Sequence, residues 1–142
     1  MRTFKEDKAL GDQGEDDTHS ALEECVGMSL TKTAAGHNLD FEGSSCWVEL
    51  KTRLWTPGGK RIRSTTYPTT FFPKTKKNAM DAATKPVYCF FKFEDGLFYI
   101  QYCAKKFETY QTILLSRNRP DVKYDYNKDH WDIPVKDLIC VT

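Results

Sequence analysis

The residues of this chain whose types and spacing could do chemistry are Glu15, Asp40, Glu49 and Lys51. Asp40 and Glu49 each interrupt a short apolar run of the kind that forms a β-strand. A buried charge is costly unless it is paired or coordinates a metal ion. Mg²⁺ takes oxygen ligands, commonly one or two carboxylates with waters and phosphate oxygens. The pattern therefore predicts a magnesium site for metal-assisted hydrolysis, at which Mn²⁺ would substitute.

Each of these residues has an expected role at such a site. Asp40 and Glu49, on neighbouring antiparallel strands, would ligate the metal together with the backbone carbonyl of Leu50. Lys51 shares a strand face with Glu49 and would orient an attacking water and stabilise charge that develops on a phosphate. Glu15 would hold a metal-bound water from the helix side. The alternatives are ordinary surface residues or a Glu49–Lys51 ion-pair network without catalysis.

The element that must carry Glu15 is a helix from about residue 10 to residue 26. Its apolar and small residues recur at intervals of three and four, which is helical spacing. Gly27 is the expected C-cap. Glu15 lies on or beside the stripe that faces the core, an awkward position for an acid. The alternative is a capping box, in which Asp12 is the N-cap and Glu15 reaches back to it.

Three extended runs follow, at about residues 28–33, 39–42 and 46–55, with a turn at Gly43 and Ser44. Alternate residues of a strand share a face. In the second run Leu39 and Phe41 are expected to point inward and Asp40 outward. In the third run the inward residues are Cys46, Val48 and Leu50. The opposite face would carry the other residues of that run, namely Trp47, Glu49, Lys51, Arg53 and Trp55.

The rest of the chain reads as one helix and several strands. A turn at residues 57–59 and a returning arm at 60–67 predict a basic β-ribbon. A helix is expected at 75–83, followed by a hairpin of strands 86–93 and 97–103 around Glu94, Asp95 and Gly96. Residues 109–116 predict another strand and residues 117–131 a polar loop. The C-terminal segment 131–141 would be an edge strand or a turn.

Charge is strongly segregated along the chain. Residues 1–49 hold 11 acids and 4 bases, whereas residues 50–80 hold no acid and eight bases. Such a block is expected to contact a polyanion, because each neutralised phosphate releases counterions. The alternative is chance clustering on a solvated surface. The candidate nucleic-acid contacts are the bases of this block other than Lys51, namely Arg53, Lys60, Arg61, Arg63, Lys74, Lys76 and Lys77. Tyr67, Phe71 and Phe72 could stack on bases, but core positions are the preferred interpretation.

Composition excludes several classes of protein. At 142 residues with 39% hydrophobic residues, one globular domain is expected. No apolar run has the length of a membrane span and no signal peptide is visible, so an intracellular protein without membrane contact is predicted. The five scattered cysteines predict free buried thiols and no zinc site. Phosphate-cradling and serine-hydrolase motifs are missing, so no nucleotide cofactor is expected.

The segments "GDQGE", "NLDFEG" and "VELK" together resemble the PD-(D/E)XK nuclease superfamily. Its signature is an acid, a gap and then Asp or Glu-x-Lys, and the gap from Asp40 to Glu49 is near the short end of the family's range. The resemblance covers about residues 10–93. It implies an α/β, restriction-endonuclease-like αβββαβ core, with a mixed central sheet flanked by helices and extra C-terminal strands. Leu39 stands where the motif has proline. The helix after the motif strand would contact the phosphate backbone through Lys74, Lys76, Lys77 and Asn78.

These observations lead to one expected function and two rivals. The leading hypothesis is a Mg²⁺-dependent endonuclease that hydrolyses DNA phosphodiester bonds, with a homodimer as a natural way to reach two strands. The first rival is a domain of the same fold that binds nucleic acid or assembles without catalysis. The second is an RNA endonuclease that uses the same metal site.

Overall fold

The computed structural model describes residues 3–34, 36–56, 58–115, 121 and 128–141. These residues form a mixed sheet of six strands, a second sheet of three strands and three α-helices. The helices are α1 (Phe4–Val26), α2 (Lys77–Ala82) and α3 (Ala104–Phe107), and 3₁₀ turns lie at Lys74–Lys76 and Val135–Asp137. The strands are β1 (Thr31–Lys32), β2 (Phe41–Glu42), β3 (Trp47–Thr52), β4 (Thr69–Pro73), β5 (Val87–Phe93), β6 (Gly96–Gln101), β7 (Gln111–Leu115), β8 (Lys128–Pro134) and β9 (Ile139–Cys140).

Helix α1 is longer than the sequence pattern predicted. It begins after Thr3, whose hydroxyl oxygen accepts a hydrogen bond from the Glu6 amide at 3.0 Å. Asp12 therefore lies inside the helix, and the capping box of Asp12 with Glu15 is wrong. The extra turns form because the segment 4–10 consists mainly of good helix formers. The expected C-cap is confirmed, since Gly27 has φ 72° and donates its amide to the last turn.

The six-stranded sheet has the order β1-β2-β3-β5-β6-β9. Strands β3 and β5 pair in parallel, and all other neighbours in this sheet pair antiparallel. The chain thus runs through a helix, three antiparallel strands, a crossover that contains β4 and α2, and a strand parallel to β3. In the parallel register Glu49 lies beside Cys89.

Both faces of this sheet are buried. On one face Leu22 of α1 packs with Phe41, Val48 and Leu50, which confirms the inward direction of these strand residues. The other face packs against the second sheet, whose order is β4-β8-β7, through Phe72, Cys89, Phe91, Trp131 and Ile133. Leu39 is buried as expected, but it belongs to this second cluster and lies apart from Phe41. The face that holds Glu49 is therefore covered by protein.

Several downstream predictions are confirmed. The helix expected at residues 75–83 is present as a 3₁₀ turn that runs into α2. The hairpin of β5 and β6 turns at Glu94 and Asp95, and β7 lies inside the predicted run 109–116. The C-terminal segment 131–141 is confirmed in part: it supplies β9 at the edge of the large sheet, but its first residues, 131–134, belong to β8, the central strand of the second sheet.

Two other downstream predictions are wrong in part. The predicted loop 117–131 ends early, because β8 begins at Lys128; apart from residue 121 and residues 128–131, that loop lies outside the described residues. The returning arm of the basic ribbon is short: it meets the outgoing arm at a bridge between Trp55 and Arg61, with the Thr56 amide donating to Lys60 and the Ile62 amide to Leu54, both at 2.8 Å. Beyond this point the returning arm separates from the outgoing arm, because the Ser64 amide and hydroxyl donate to Asp95 at the β5–β6 turn, at 2.7 and 2.6 Å. The turn expected at 57–59 starts at Pro57, which is outside the described residues.

The five cysteines form no disulfide with one another, as predicted: Cys25, Cys46, Cys89, Cys103 and Cys140. Cys46 and Cys89 are buried, but Cys103 and Cys140 are exposed, so the expectation of burial holds for only some of them. Among the described residues no helix combines the length and the apolar character needed to cross a membrane.

Candidate active site

Helix α1 approaches β3 very closely just before Glu15. Gly14 is buried, and a Cβ atom added to it would overlap the Thr52 hydroxyl oxygen and lie 3.2 Å from Thr52 Cβ. A larger residue at this position would force the Thr52 side chain to move. Glu15, the next residue, is consequently held against the sheet, and its side chain is 12% exposed.

Asp40 is fixed to β3 through both its backbone and its side chain. Its amide donates to the Val48 carbonyl at 3.1 Å, and its Oδ2 accepts the Leu50 amide at 2.8 Å. Burial raises the pKa of Asp40, although the hydrogen bond from Leu50 opposes the shift. The Glu15 carboxyl lies within hydrogen-bonding reach of Asp40. Burial also raises the pKa of Glu15.

Glu49 is the most unusual residue of the group, because its side chain has no exposed surface. Two ammonium groups approach its Oε2, Lys51 Nζ at 3.0 Å and Lys76 Nζ at 3.4 Å. Neither carboxylate oxygen accepts a well-directed hydrogen bond from any described residue. Burial raises the pKa of Glu49, with the nearby Asp40 acting in the same direction and Lys51 against it. Glu49 is thus a buried carboxylate whose close partners are two ion-paired lysines and the neighbouring Asp40 carboxyl group.

The structure therefore brings Glu15, Asp40, Glu49 and Lys51 into one cluster, with Leu50 attached through its amide. It adds Lys76, which the sequence had indicated only as a nucleic-acid contact. Lys76 Nζ also donates to the Asn38 carbonyl. No local pattern indicates this role, because three lysines lie within residues 74–77 and only the tertiary fold decides which one faces Glu49.

The donor set of the cluster fits a hard divalent cation. Oxygen atoms from Asp40 and Glu49 are the ligand type that Mg²⁺ prefers. A buried carboxylate without a directed hydrogen bond lacks the partners that such a group normally has. A cation would also relieve the mutual repulsion that the two carboxylates exert. Across the described residues no three His, Cys, Asp or Glu side chains are arranged around one common point, so a metal here would rest on two carboxylates, a carbonyl and water.

A cleft of about 350 Å³ opens beside the cluster, between α1 and the end of β3. Its strand side carries Lys51, Arg53 and Trp55, with Lys92 from β5, while its helix side carries Asp7 and Asp17. Positive and negative walls thus face each other. Lys51 is the residue that links the cleft to Glu49.

The other predicted nucleic-acid contacts divide into two groups. Lys74, Lys77 and Arg53 point to partners within the protein: Lys74 Nζ donates to Thr112 Oγ1, Lys77 Nζ lies 2.6 Å from Asp81, and Arg53 stacks 4.3 Å above Phe71. Lys60, Arg61 and Arg63 are exposed on the segment after β3. Arg61 and Arg63 lie 3.8 and 3.1 Å from Glu94, and Arg61 also covers the Trp55 ring at 4.5 Å.

The aromatic residues considered for stacking are placed differently from one another. Phe72 is fully buried in the cluster between the sheets, as the core interpretation predicted. Phe71 is half-buried beneath Arg53. Tyr67 is 51% exposed, so the core interpretation is wrong for it, because it lies in the irregular segment before β4. Trp55, which was assigned only to a strand face, is exposed at the cleft.

Comparisons of this chain with protein-family models, with curated proteins and with solved structures find no match.

Proposed function

We propose that this protein is a metal-dependent nuclease that hydrolyses phosphodiester bonds in DNA. The observation that carries the proposal is the fully buried Glu49 carboxylate next to Asp40, with the Nζ of Lys51, a residue that lines the cleft, 3.0 Å away. A carboxylate that burial leaves without directed hydrogen bonds is expensive to keep. Binding of a metal ion would offset this cost, because the ion supplies the ligand contacts that the buried carboxylate lacks.

The order of elements supports a restriction-endonuclease-like core. A helix with Glu15 precedes three antiparallel strands, Asp40 directly precedes the second strand, and Glu49 and Lys51 lie on the third. A crossover with a short helix leads to a strand parallel to the third. Apart from β4, which lies in the crossover and pairs in the second sheet, this is the αβββαβ order that the PD-(D/E)XK resemblance implies. The assignment of the chain to that fold is part of the proposal.

Within this proposal each residue of the cluster has a defined task. Asp40, Glu49 and the Leu50 carbonyl would hold the metal, which supplies Lewis-acid polarisation of the phosphate and lowers the pKa of water. Lys51 holds the attacking water and stabilises negative charge on the phosphate oxygens. Glu15, whose carboxyl group lies within reach of Asp40, would hold a metal-bound water from the helix side. Burial around Glu49 keeps bulk solvent away from these contacts.

The choice of a nucleic acid as substrate rests on charge. Lys60, Arg61 and Arg63 are exposed close in sequence to β3, and Lys51 and Lys92 border the cleft. Phosphate contacts from such residues position a strand without reading its sequence. DNA is the polymer we propose, and the test below includes RNA.

The experiment compares wild-type protein with Lys51→Met and Lys105→Met on plasmid, linear duplex, branched DNA, single-stranded DNA and single-stranded RNA. Each substrate is incubated with Mg²⁺, Mn²⁺ or EDTA. Lys51→Met keeps the aliphatic stem and removes the charge, and we expect it to lower kcat by roughly 10²–10³-fold. Lys105→Met makes the same change at an exposed residue of α3 and should cut like the wild type.

Three outcomes would contradict parts of the proposal. Full activity in Lys51→Met, with native circular dichroism, would remove Lys51 from the mechanism. Salt-sensitive binding without cutting under every metal condition would favour a domain that binds nucleic acid without catalysis. Cleavage confined to RNA would make the protein an RNA endonuclease with the same site.

A further inference from the structure

Lys76 contacts the candidate active site in the manner of a bound cation. It lies at the end of the 3₁₀ turn Lys74–Lys76 and its side chain is 22% exposed. Its ammonium bridges two oxygen atoms from different segments, Glu49 Oε2 at 3.4 Å and the Asn38 carbonyl. A carboxylate oxygen together with a backbone carbonyl is also a ligand pair that Mg²⁺ uses.

The neighbouring lysines show that this placement is specific to Lys76. Lys74 Nζ donates to Thr112 on β7, and Lys77 Nζ pairs with Asp81 on α2. All three lysines lie within four residues, so the local concentration of charge is the same for each. Of these three lysines, Lys76 alone has its ammonium group directed at Glu49.

Nucleases that hydrolyse phosphodiesters with two metals place the ions about 3.5–4 Å apart around shared oxygen ligands. Here the Oε2 atom of Glu49 already has two ammonium groups as close neighbours, from Lys51 and Lys76. A second divalent ion next to this oxygen would meet two like charges at short range, which is unfavourable in a buried site. Positive charge on that side of Glu49 is therefore supplied by the protein.

We infer that Lys76 takes the place of a second metal ion, so that the site binds one divalent cation per chain. The inference rests on the proposed nuclease function. Lys76 is a positioning residue in this scheme: it holds the Glu49 carboxylate in place and supplies the fixed positive charge that a second ion would bring. The remaining oxygen of Glu49, together with Asp40, is left for the single ion.

The test counts bound Mn²⁺ by electron paramagnetic resonance of the free ion, titrated against the full chain without substrate. We expect one Mn²⁺ per wild-type chain. Lys76→Glu replaces the ammonium by a carboxylate beside Glu49 and the Asn38 carbonyl, and we expect two Mn²⁺ per chain. Lys74→Glu, the same change two residues away, should remain at one. Circular dichroism and thermal unfolding establish that each variant is folded.

The outcomes separate this inference from the proposed function. Two Mn²⁺ ions per wild-type chain, together with metal-dependent cleavage, would overturn the role of Lys76 and leave the nuclease proposal standing. A folded Lys76→Glu that still binds one ion would also overturn it. No Mn²⁺ binding and no cleavage by the wild type would remove the proposed function and this inference with it. Where Lys76→Glu fails to fold, a count of two Mn²⁺ ions per wild-type chain still overturns the inference.

Discussion

Glu49 has no exposed surface, and yet it occupies the middle of the strand that joins the two halves of the large sheet. A glutamate is tolerated in a protein core when it is paired with a positive charge. Here Lys51 and Lys76 both approach the Oε2 atom of Glu49. Such pairs often contribute little net stability, because desolvation of the charges offsets their attraction. The cost at this residue is a property that can be measured without any substrate.

We predict that the metal-free protein loses stability as the pH rises above about 4.3, the ordinary pKa of a glutamate side chain. Burial raises the pKa of Glu49 above its ordinary value, so the folded state binds this proton more tightly than the unfolded state does. The free energy of unfolding therefore falls as the pH rises from the unfolded value of about 4.3 through the raised one, by up to about 1.4 kcal/mol per pH unit for one such group. Urea unfolding in EDTA at several pH values measures this slope.

Glu49→Gln should flatten that slope and be more stable than the wild type at pH 8, with the two proteins converging near pH 4. Glu24→Gln makes the same change on the exposed surface of α1 and serves as the control. A wild-type slope that Glu49→Gln leaves unaltered would show that Glu49 is buried without electrostatic cost.

At the scale of elements, the contact between α1 and β3 positions Glu15. The helix can approach the strand because Gly14 has no Cβ atom at the point where it meets Thr52. A glycine inside a helix ordinarily lowers stability by about 1 kcal/mol relative to alanine. Gly11, one turn earlier in the same helix, has open space around its Cα and provides an internal comparison.

We predict opposite effects for alanine at these two glycines. Gly14→Ala should lower the free energy of unfolding by about 1–3 kcal/mol, because the new methyl group overlaps Thr52. Gly11→Ala should raise it by up to about 1 kcal/mol through helix propensity. Urea unfolding measures both. Adding Thr52→Ala to Gly14→Ala removes the overlapping hydroxyl and should restore most of the loss; no recovery would mean that the backbones themselves clash.

Local patterns were sufficient for elements whose ends are fixed by neighbouring residues. The C-cap at Gly27 and the hairpin at Glu94 and Asp95 were predicted because a turn residue ended each periodic run. The predicted start of α1 is wrong. The true N-cap, Thr3, precedes a charged segment that has no apolar periodicity to mark it as helical. The ribbon after β3 is shorter than predicted because Ser64 hydrogen-bonds to Asp95. These two residues are 31 positions apart, so no local pattern indicates the contact.

The candidate site shows the same division between local and distant information. Alternation in β3 placed Glu49 and Lys51 on one face, and that placement agrees with their ion pair. The burial of that face could not be predicted, because Phe72 and Trp131 come from a second sheet whose strands are far along the chain. Lys76 was assigned to DNA for the same reason, since its partner Glu49 lies 27 residues earlier.

At the scale of the whole molecule, the exposed cations of the acid-free block lie after β3, at Lys60, Arg61 and Arg63, the two arginines close to Glu94. We predict that Lys60→Ala, Arg61→Ala and Arg63→Ala, combined in a Lys51→Met background, reduce the dependence of duplex DNA binding on salt. The slope of log K against log salt should fall by about one to three units, because each lost phosphate contact contributes about 0.9. Fluorescence anisotropy between 50 and 200 mM salt measures the slope.

The matched control removes charge from the exposed residues Lys105 and Lys106 on α3, which should leave the slope unchanged. An equal fall of the slope in both sets of variants would mean that DNA binding depends only on the total charge of the protein. An unchanged slope in the first set would move the binding surface away from residues 60–63.

The parallel pairing of β3 with β5 also bears on how the chain reaches its folded state. The hairpins β2–β3 and β5–β6 close over short loops, whereas β3 meets β5 only after the 34 residues 53–86 have been ordered between them. Contacts between distant segments form late because the entropy of the connecting chain is lost first. Glu49 lies beside Cys89 in that ladder, so we expect its water to be removed after the local hairpins have formed. The energetic penalty of the candidate site therefore falls on a step of folding that joins distant segments of the chain.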